Sequence, residues 1–205
     1  MKSKSEVFNM DCIEGMKQYP DNHFELAIVD PPYGINITNQ SGFGTLNKNK
    51  KNWDSKTPNK IYWNELFRVS ENQIIWGANY FFEYLGNTKS IISWDKMNGT
   101  NDMADFELAW TSFNIPARRF SMHHFSSGYE SKIHPTQKPT KLYKWLLTNY
   151  AKEGDKILDT HLGSGSSRIA AYDLGFEFTG FELDEDYFKA SEKRFKQHTD
   201  QLTLF

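Results

Sequence analysis

Short apolar runs alternate with amphipathic stretches along most of the 205 residues. Runs at 24–29 (FELAIV), 73–76 (QIIW), 90–94 (SIISW), 106–110 (FELAW), 156–158 (KIL) and 177–181 (EFTGF) predict strands. Residues 6–10 predict a seventh, short and near an edge. Near-continuous apolar runs suit strands covered on both faces of a parallel sheet. Helices are predicted between them at 59–69, 139–152, 166–174 and 184–198. The first carries Ile61, Tyr62, Leu66 and Val69 on one side. The second opens on Pro139 and closes at Gly154, the expected punctuation. The last begins acidic and ends basic, which complements the helix dipole. Alternating strands and helices predict an α/β fold with a doubly wound, mostly parallel sheet.

Two stretches break that rhythm. Residues 36–60 are rich in Asn, Gly, Lys and Thr and read as a long functional loop. They hold Lys48, Lys50, Lys51, Lys56 and Lys60 against a single acid, Asp54. Residues 116–141 hold Arg118, Arg119, Lys132, Lys138 and Lys141 against Glu130. The whole chain carries a net charge of −2, so any nucleic-acid surface must be a local patch rather than a basic coat. A lone cysteine, Cys12, excludes an internal disulfide framework and a multi-cysteine zinc site. No apolar run approaches a membrane span, and residues 1–6 lack the apolar core of a secretory signal. The expectation is one domain over 1–205, with a basic loop at 36–60 and a short target-recognition segment at 111–133.

The chemistry concentrates in four places. Asp30-Pro31-Pro32-Tyr33 directly follows a predicted buried strand. Two prolines would serve a plain turn, but a carboxylate at the carboxyl end of a central strand stands where α/β sheets place their sites. An exocyclic amine on a nucleobase is a poor nucleophile, because its lone pair is conjugated with the ring. A carboxylate and the Pro31 carbonyl can accept both of its N–H bonds and aim that lone pair, while Tyr33 can stack on the base. The second place, Asp159 to Ser167 (DTHLGSGSS), joins a strand to a helix and brings backbone N–H donors close to a ligand. It lacks the Gly-Lys-Ser/Thr of a P-loop and the third glycine of a dinucleotide fingerprint. Third, Glu182 ends the next strand, where an acid can take two ribose hydroxyls. Last, His134-Pro135-Thr136-Gln137-Lys138-Pro139 opens a helix and by itself reads as an ordinary capped start.

In this order the four features resemble the β-class DNA amino-methyltransferases, which use S-adenosylmethionine. Asn9-Met10-Asp11-Cys12 looks like the family's short acidic motif, and 75–81 (IWGANYF) with 94–96 (WDK) resembles compact, phage-type members. The resemblance implies a Rossmann-like class I methyltransferase fold, circularly permuted. Its seven strands would lie in the spatial order 6–10, 177–181, 156–158, 24–29, 73–76, 106–111, 90–94, with 106–111 antiparallel. It implies that Asp30, Pro31, Pro32 and Tyr33 hold the target amine. It implies that S-adenosylmethionine is bound by Asp11, Cys12, Asp30, His134, Thr136, Gln137, Lys138, Asp159, Leu162, Gly163, Ser164, Gly165, Ser166, Glu182 and Leu183. DNA is the implied partner, with Lys48, Lys50, Lys51, Arg118 and Arg119 on its phosphates. Asp at position 30 favours adenine N6 over cytosine N4, and a duplex base must be flipped out to be reached. The alternatives are an N4-cytosine enzyme, an RNA amino-methyltransferase, a catalytically silent DNA-binding module and a nicotinamide oxidoreductase. The expected setting is the cytoplasm of a bacterial or phage-infected cell, with a homodimer left open.

Overall fold

A computed structural model describes residues 3–37, 51–99, 104–123 and 132–202. Its strands are β1 (Ser5–Asn9), β2 (Phe24–Val29), β3 (Ser70–Trp76), β4 (Ile91–Asp95), β5 (Phe106–Thr111), β6 (Arg118–Ser121), β7 (Lys156–Asp159) and β8 (Glu177–Glu182). Its helices are α1 (Cys12–Met16), α2 (Lys60–Val69), α3 (Thr140–Tyr150), α4 (Ser166–Leu174) and α5 (Glu185–Leu202), with one 3-10 turn at Ala78–Tyr80. All strands join one sheet in the order β1-β8-β7-β2-β3-β5-β4-β6. β5 is antiparallel to both neighbours, and every other pairing is parallel.

The seven expected strands stand in the expected order, with β5 reversed. The count of seven is corrected to eight. β6 falls inside the stretch read as a recognition segment, and its sequence, RRFS, has no apolar run to announce it. It forms because its backbone pairs with β4, from Arg118 opposite Ile92 to Ser121 opposite Asp95. Phe120 anchors it against Trp145 of α3, ring centroids 5.5 Å apart. Its two exposed arginines oppose further strand addition at that edge. Helix α1 was also unannounced, being only five residues long. It starts because the Asp11 carboxylate accepts the Ile13 and Glu14 N–H groups at 2.8 and 3.3 Å.

Side-chain alternation along the central strands splits the core in two. Leu26, Ile28, Ile74, Trp76 and Ile157 meet Leu142, Leu146 and Leu147 of α3 and Ala170 and Ala171 of α4. Ala27, Val29, Ile75 and Leu158 meet Met16 of α1 and Tyr62, Trp63, Leu66 and Val69 of α2. Burying both faces explains why the strands read as unbroken apolar runs. From β2 the chain crosses to β3 on one side, and from β7 to β8 on the other. The crevice between the carboxyl ends of β2 and β7 is thus the topological switch point of the sheet. Among the described residues no helix is long and apolar enough to cross a membrane.

Candidate active site

A cleft of about 400 Å³ opens at that switch point, within the range of small-molecule sites. Asp11, Cys12, Asp30, Pro32, His134, Thr136, Gln137, Lys138, Leu162, Gly163, Ser164, Glu182 and Leu183 all line it. Five separated stretches, the four places above and Asn9–Cys12, therefore converge on one space. Burial raises the Cys12 thiol to about 12, so this side chain is an uncharged wall.

Asp30 follows β2 directly and enters a charged cluster. Tyr33 donates its hydroxyl to one carboxylate oxygen at 2.6 Å, and Lys138 donates to the other at 2.5 Å. Lys138 also reaches Glu107 of β5 at 3.0 Å, and Lys96 reaches Glu107 at 2.6 Å. Burial pushes the Asp30 carboxyl upward, against the pull of Lys138. Burial also opposes ionisation of Glu107, but Lys138 and Lys96 outweigh it and hold that carboxyl down to about 2. Burial disfavours the Lys138 cation, yet Asp30 and Glu107 outweigh it and keep the ammonium charged above its ordinary range.

The loop after Asp30 is tied down from a distance. Asp54 is buried, and its carboxylate accepts the backbone N–H groups of Tyr33, Gly34 and Ile37 at 2.7, 2.9 and 2.9 Å. The Tyr33 ring stacks on Tyr80, with centroids 4.8 Å apart and planes 14° apart. It lies against Gly77, whose φ is +72° and where an added Cβ would sit 2.2 Å from the ring. Glycine is required there twice over, for conformation and for clearance.

On the β7 side, Gly163 and Gly165 take φ of +51° and +72°, and Gly165 opens α4. Glu182 fixes the loop by accepting the Gly163 N–H at 2.8 Å, and accepts the Asp184 N–H at 2.9 Å. Burial raises its carboxyl. Three expected ligand residues do not line the cleft. Asp159 is buried, and accepts from the Ser167 hydroxyl at 2.5 Å and the His161 N–H at 3.0 Å. Burial lifts it to about 7. It holds the loop in shape. Ser166 is bonded to Arg194 of α5 at 2.9 Å, and Gly165 packs toward Ser191 of that helix. Burial lowers His134 to about 3 and His161 to about 4, so both line the cleft as neutral rings.

The expected phosphate contacts fare differently. Lys51 pairs with Asp184, and with Asp186 at 2.8 Å, and lies 4.4 Å over the Tyr187 ring. Its charge is spent on protein carboxylates beside the cleft. Arg118 and Arg119 are exposed on β6, at the outer edge of the sheet. They pair with Ile92 and Ser93, back from the strand end that faces the cleft. Lys48 and Lys50 lie outside the described residues.

The sequence assigned no role to other residues of the site. Trp53 and Tyr187 flank the His134 ring at 5.1 and 4.3 Å between centroids. Tyr143 completes the wall together with Thr160, which lies inside the DTHLGSGSS stretch. Glu107 and Asp54 belong to no motif, and Lys96, though it ends the WDK stretch at 94–96, carried no role of its own. A lone acid within a basic loop was the one cue for Asp54. No group of three or more His, Cys, Asp or Glu side chains able to hold a metal occurs among the described residues.

Comparison with known proteins agrees with this geometry. A family profile described as DNA methylase, of the N6/N4 type, matches residues 93–193. The type II methyltransferase M2.MboI of Moraxella bovis is 25% identical over 96% of this chain and 89% of its own. M2.DpnII of Streptococcus pneumoniae is 28% identical over 78% of this chain, which spans 54% of that longer protein. Among solved structures, the M1.HpyAVI complex with S-adenosylmethionine superposes with a TM-score of 0.61 at 20% identity, covering 92% of this chain and 98% of that one. The cytosine-N4-specific PvuII DNA methyltransferase gives 0.62 at 14% identity, covering 98% and 92%. At such identities the superpositions show a shared fold. The resemblance to S-adenosylmethionine-dependent DNA amino-methyltransferases drawn from the motifs is borne out.

Proposed function

We propose that this chain, a DNA amino-methyltransferase by its family match, transfers the methyl group of S-adenosylmethionine to the N6 amine of an adenine flipped out of DNA. One observation carries the reading: the Asp30 carboxylate, at the carboxyl end of β2, faces the same cleft as the glycine loop and Glu182. The donor set suits the cofactor. Asp11, Asp30, Glu182 and Asp184 line the cleft and complement a sulfonium and an ammonium. Glu182 suits a ribose diol, and Met10, Leu162 and Leu183 offer apolar contact to an adenine ring. The bound M1.HpyAVI complex supports the same assignment by fold.

When bound, the cofactor supplies an electrophilic methyl on sulfur. The residues of the chain do the rest. Asp30 would accept one N–H of the target amine and the Pro31 carbonyl the other, which favours a pyramidal nitrogen with its lone pair free for the methyl group. Transfer would break the S–CH3 bond, release the sulfur as a neutral thioether and leave the nitrogen cationic, so a proton must go. Asp30, raised by burial and bonded to that amine, would be placed to take it. Asp at position 30 favours adenine. The test is transfer of labelled methyl to genomic DNA, DNA oligonucleotides and RNA, followed by nucleoside analysis. N6-methyladenine in DNA is expected. N4-methylcytosine would move the reading to the PvuII type, and label confined to RNA, or none, would overturn it.

A further inference from the structure

Glu107 belongs to none of the motifs, yet it stands one residue-layer behind the proposed reacting amine. It is the second residue of β5. Because β5 runs against its neighbours, its first residues lie at the sheet edge where Asp30 leaves β2. The Glu107 carboxylate holds Lys138 at 3.0 Å and Lys96 at 2.6 Å. Lys138, whose side chain is 3% exposed, holds Asp30 at 2.5 Å, and Tyr33 occupies the other Asp30 oxygen at 2.6 Å. Both oxygens of Asp30 are thus engaged by protein donors. An entering amine must displace one of them or share its oxygen. Lys138 cannot leave Asp30 for nothing, since an unpaired buried ammonium is strongly unfavourable.

We propose that Glu107 is a positioning residue for methyl transfer: it retains the Lys138 ammonium while Asp30 exchanges that partner for the N–H of the target amine. The proposal rests on the methyl-transfer reading above. The exchange needs no new charge in the site and little movement, because Lys138 already touches both carboxylates. Lys96 anchors Glu107 from the far side, so the acceptor stays in place when Lys138 shifts.

The groups facing Asp30 are Tyr33 from its own loop, Tyr62 from α2, Lys138 from the segment before α3, Tyr143 from α3, Glu107 from β5 and Asp159 from β7. The negative charge of Glu107 makes Asp30 easier to protonate, and the Lys138 cation acts the other way. Lys96, paired with Glu107, offsets part of that negative charge. Neutralising Glu107 and neutralising Lys96 should therefore move Asp30 in opposite directions. Carbon-13 carboxyl NMR of the aspartate-labelled protein reads the Asp30 midpoint directly. The expected result is a lower midpoint in Glu107→Gln and a higher one in Lys96→Gln. With genomic DNA as substrate, Glu107→Gln should lose at least tenfold in kcat while binding S-adenosylmethionine within twofold of wild type. Glu107→Asp, which keeps the charge, should recover part of that kcat. Lys96→Gln keeps the titration readable if Glu107→Gln does not fold, and its midpoint must then rise. Midpoints that stay put or move together overturn the proposal. So does a kcat for Glu107→Gln within threefold of an active wild type. A wild type silent on every nucleic acid fails the methyl-transfer reading itself, a result distinct from either.

Discussion

Asp54 offers the sharpest test of how the site is held. Its carboxylate accepts three backbone N–H groups, from Tyr33, Gly34 and Ile37, at 2.7–2.9 Å. A hydrogen bond to a charged group contributes roughly 1.5–3 kcal/mol, and a stranded buried N–H adds a desolvation cost. The three bonds share one carboxylate and the loop is only half-buried, so water recovers part of the loss. Asp54→Ala should then destabilise the protein by about 3 kcal/mol, or roughly 6–12 °C in Tm for a domain of this size. Asp54→Asn retains the oxygen that serves Tyr33 and Gly34 but turns an NH2 toward Ile37, and should cost about 1–2 kcal/mol. Urea unfolding of the three proteins measures both values. The loop also carries Tyr33 to Asp30, so Asp54→Ala should lower kcat more than it lowers affinity for S-adenosylmethionine, as read by calorimetry. A loss below about 1 kcal/mol in Asp54→Ala would refute the claim that this carboxylate fastens the loop.

Glu182→Ala should weaken S-adenosylmethionine binding by about 2–3 kcal/mol in calorimetry, since it removes both the proposed ribose acceptor and the partner of the Gly163 N–H. Lys51→Ala should change the salt dependence of DNA binding by well under the 0.9 units in log K against log[salt] expected for a lost phosphate contact, because its charge already serves Asp184 and Asp186; a full unit would return Lys51 to the DNA interface. His161 titrates at about 4 when folded, below its ordinary 6.5. The unfolded chain therefore binds the proton more readily between those values, and this ring withdraws stability as pH falls through that window. Asp159, lifted to about 7, acts in the opposite sense, so the comparison must be with a variant. Urea unfolding at pH 7 and pH 5 should show His161→Asn gaining roughly 1–2 kcal/mol relative to wild type at the lower pH.

The legible parts of this protein were those where the chain repeats a physical rule locally. Two-sided burial wrote β2 as FELAIV, and the strand emerges with those bounds. Asp30 and Glu182 were visible because each ends such a run, at the position where parallel sheets keep their ligands. Asp159 was also visible, but its place behind the cleft, bonded to Ser167 and His161, was not, since nothing local distinguishes a carboxylate that faces a cleft from one that braces a loop. Glu107 and Asp54 were illegible for a related reason. Glu107 acts on Asp30, 77 positions away, through Lys138, and no short window contains both ends of that relation. β6 escaped notice because backbone pairing, not side-chain pattern, holds it. Lys51 was counted as a free charge because the composition of a loop does not say which acids lie across from it.

The reversal of β5 has a consequence for how such a protein can change. The parallel strands offer the cleft edge of the sheet only their exits, and those of β1, β2, β7 and β8 lead into motifs of the cleft. Among the described strands β5 is the one that enters the sheet there. The connection from β4 to β5 therefore begins and ends at that edge, closed at its base by the Lys96–Asp105 backbone hydrogen bond at 2.8 Å. Residues added there would leave the register of every described strand unchanged. The length of that hairpin is thereby uncoupled from strand order, so this edge can be remodelled while the parallel strands keep Asp30, the glycine loop and Glu182 in place.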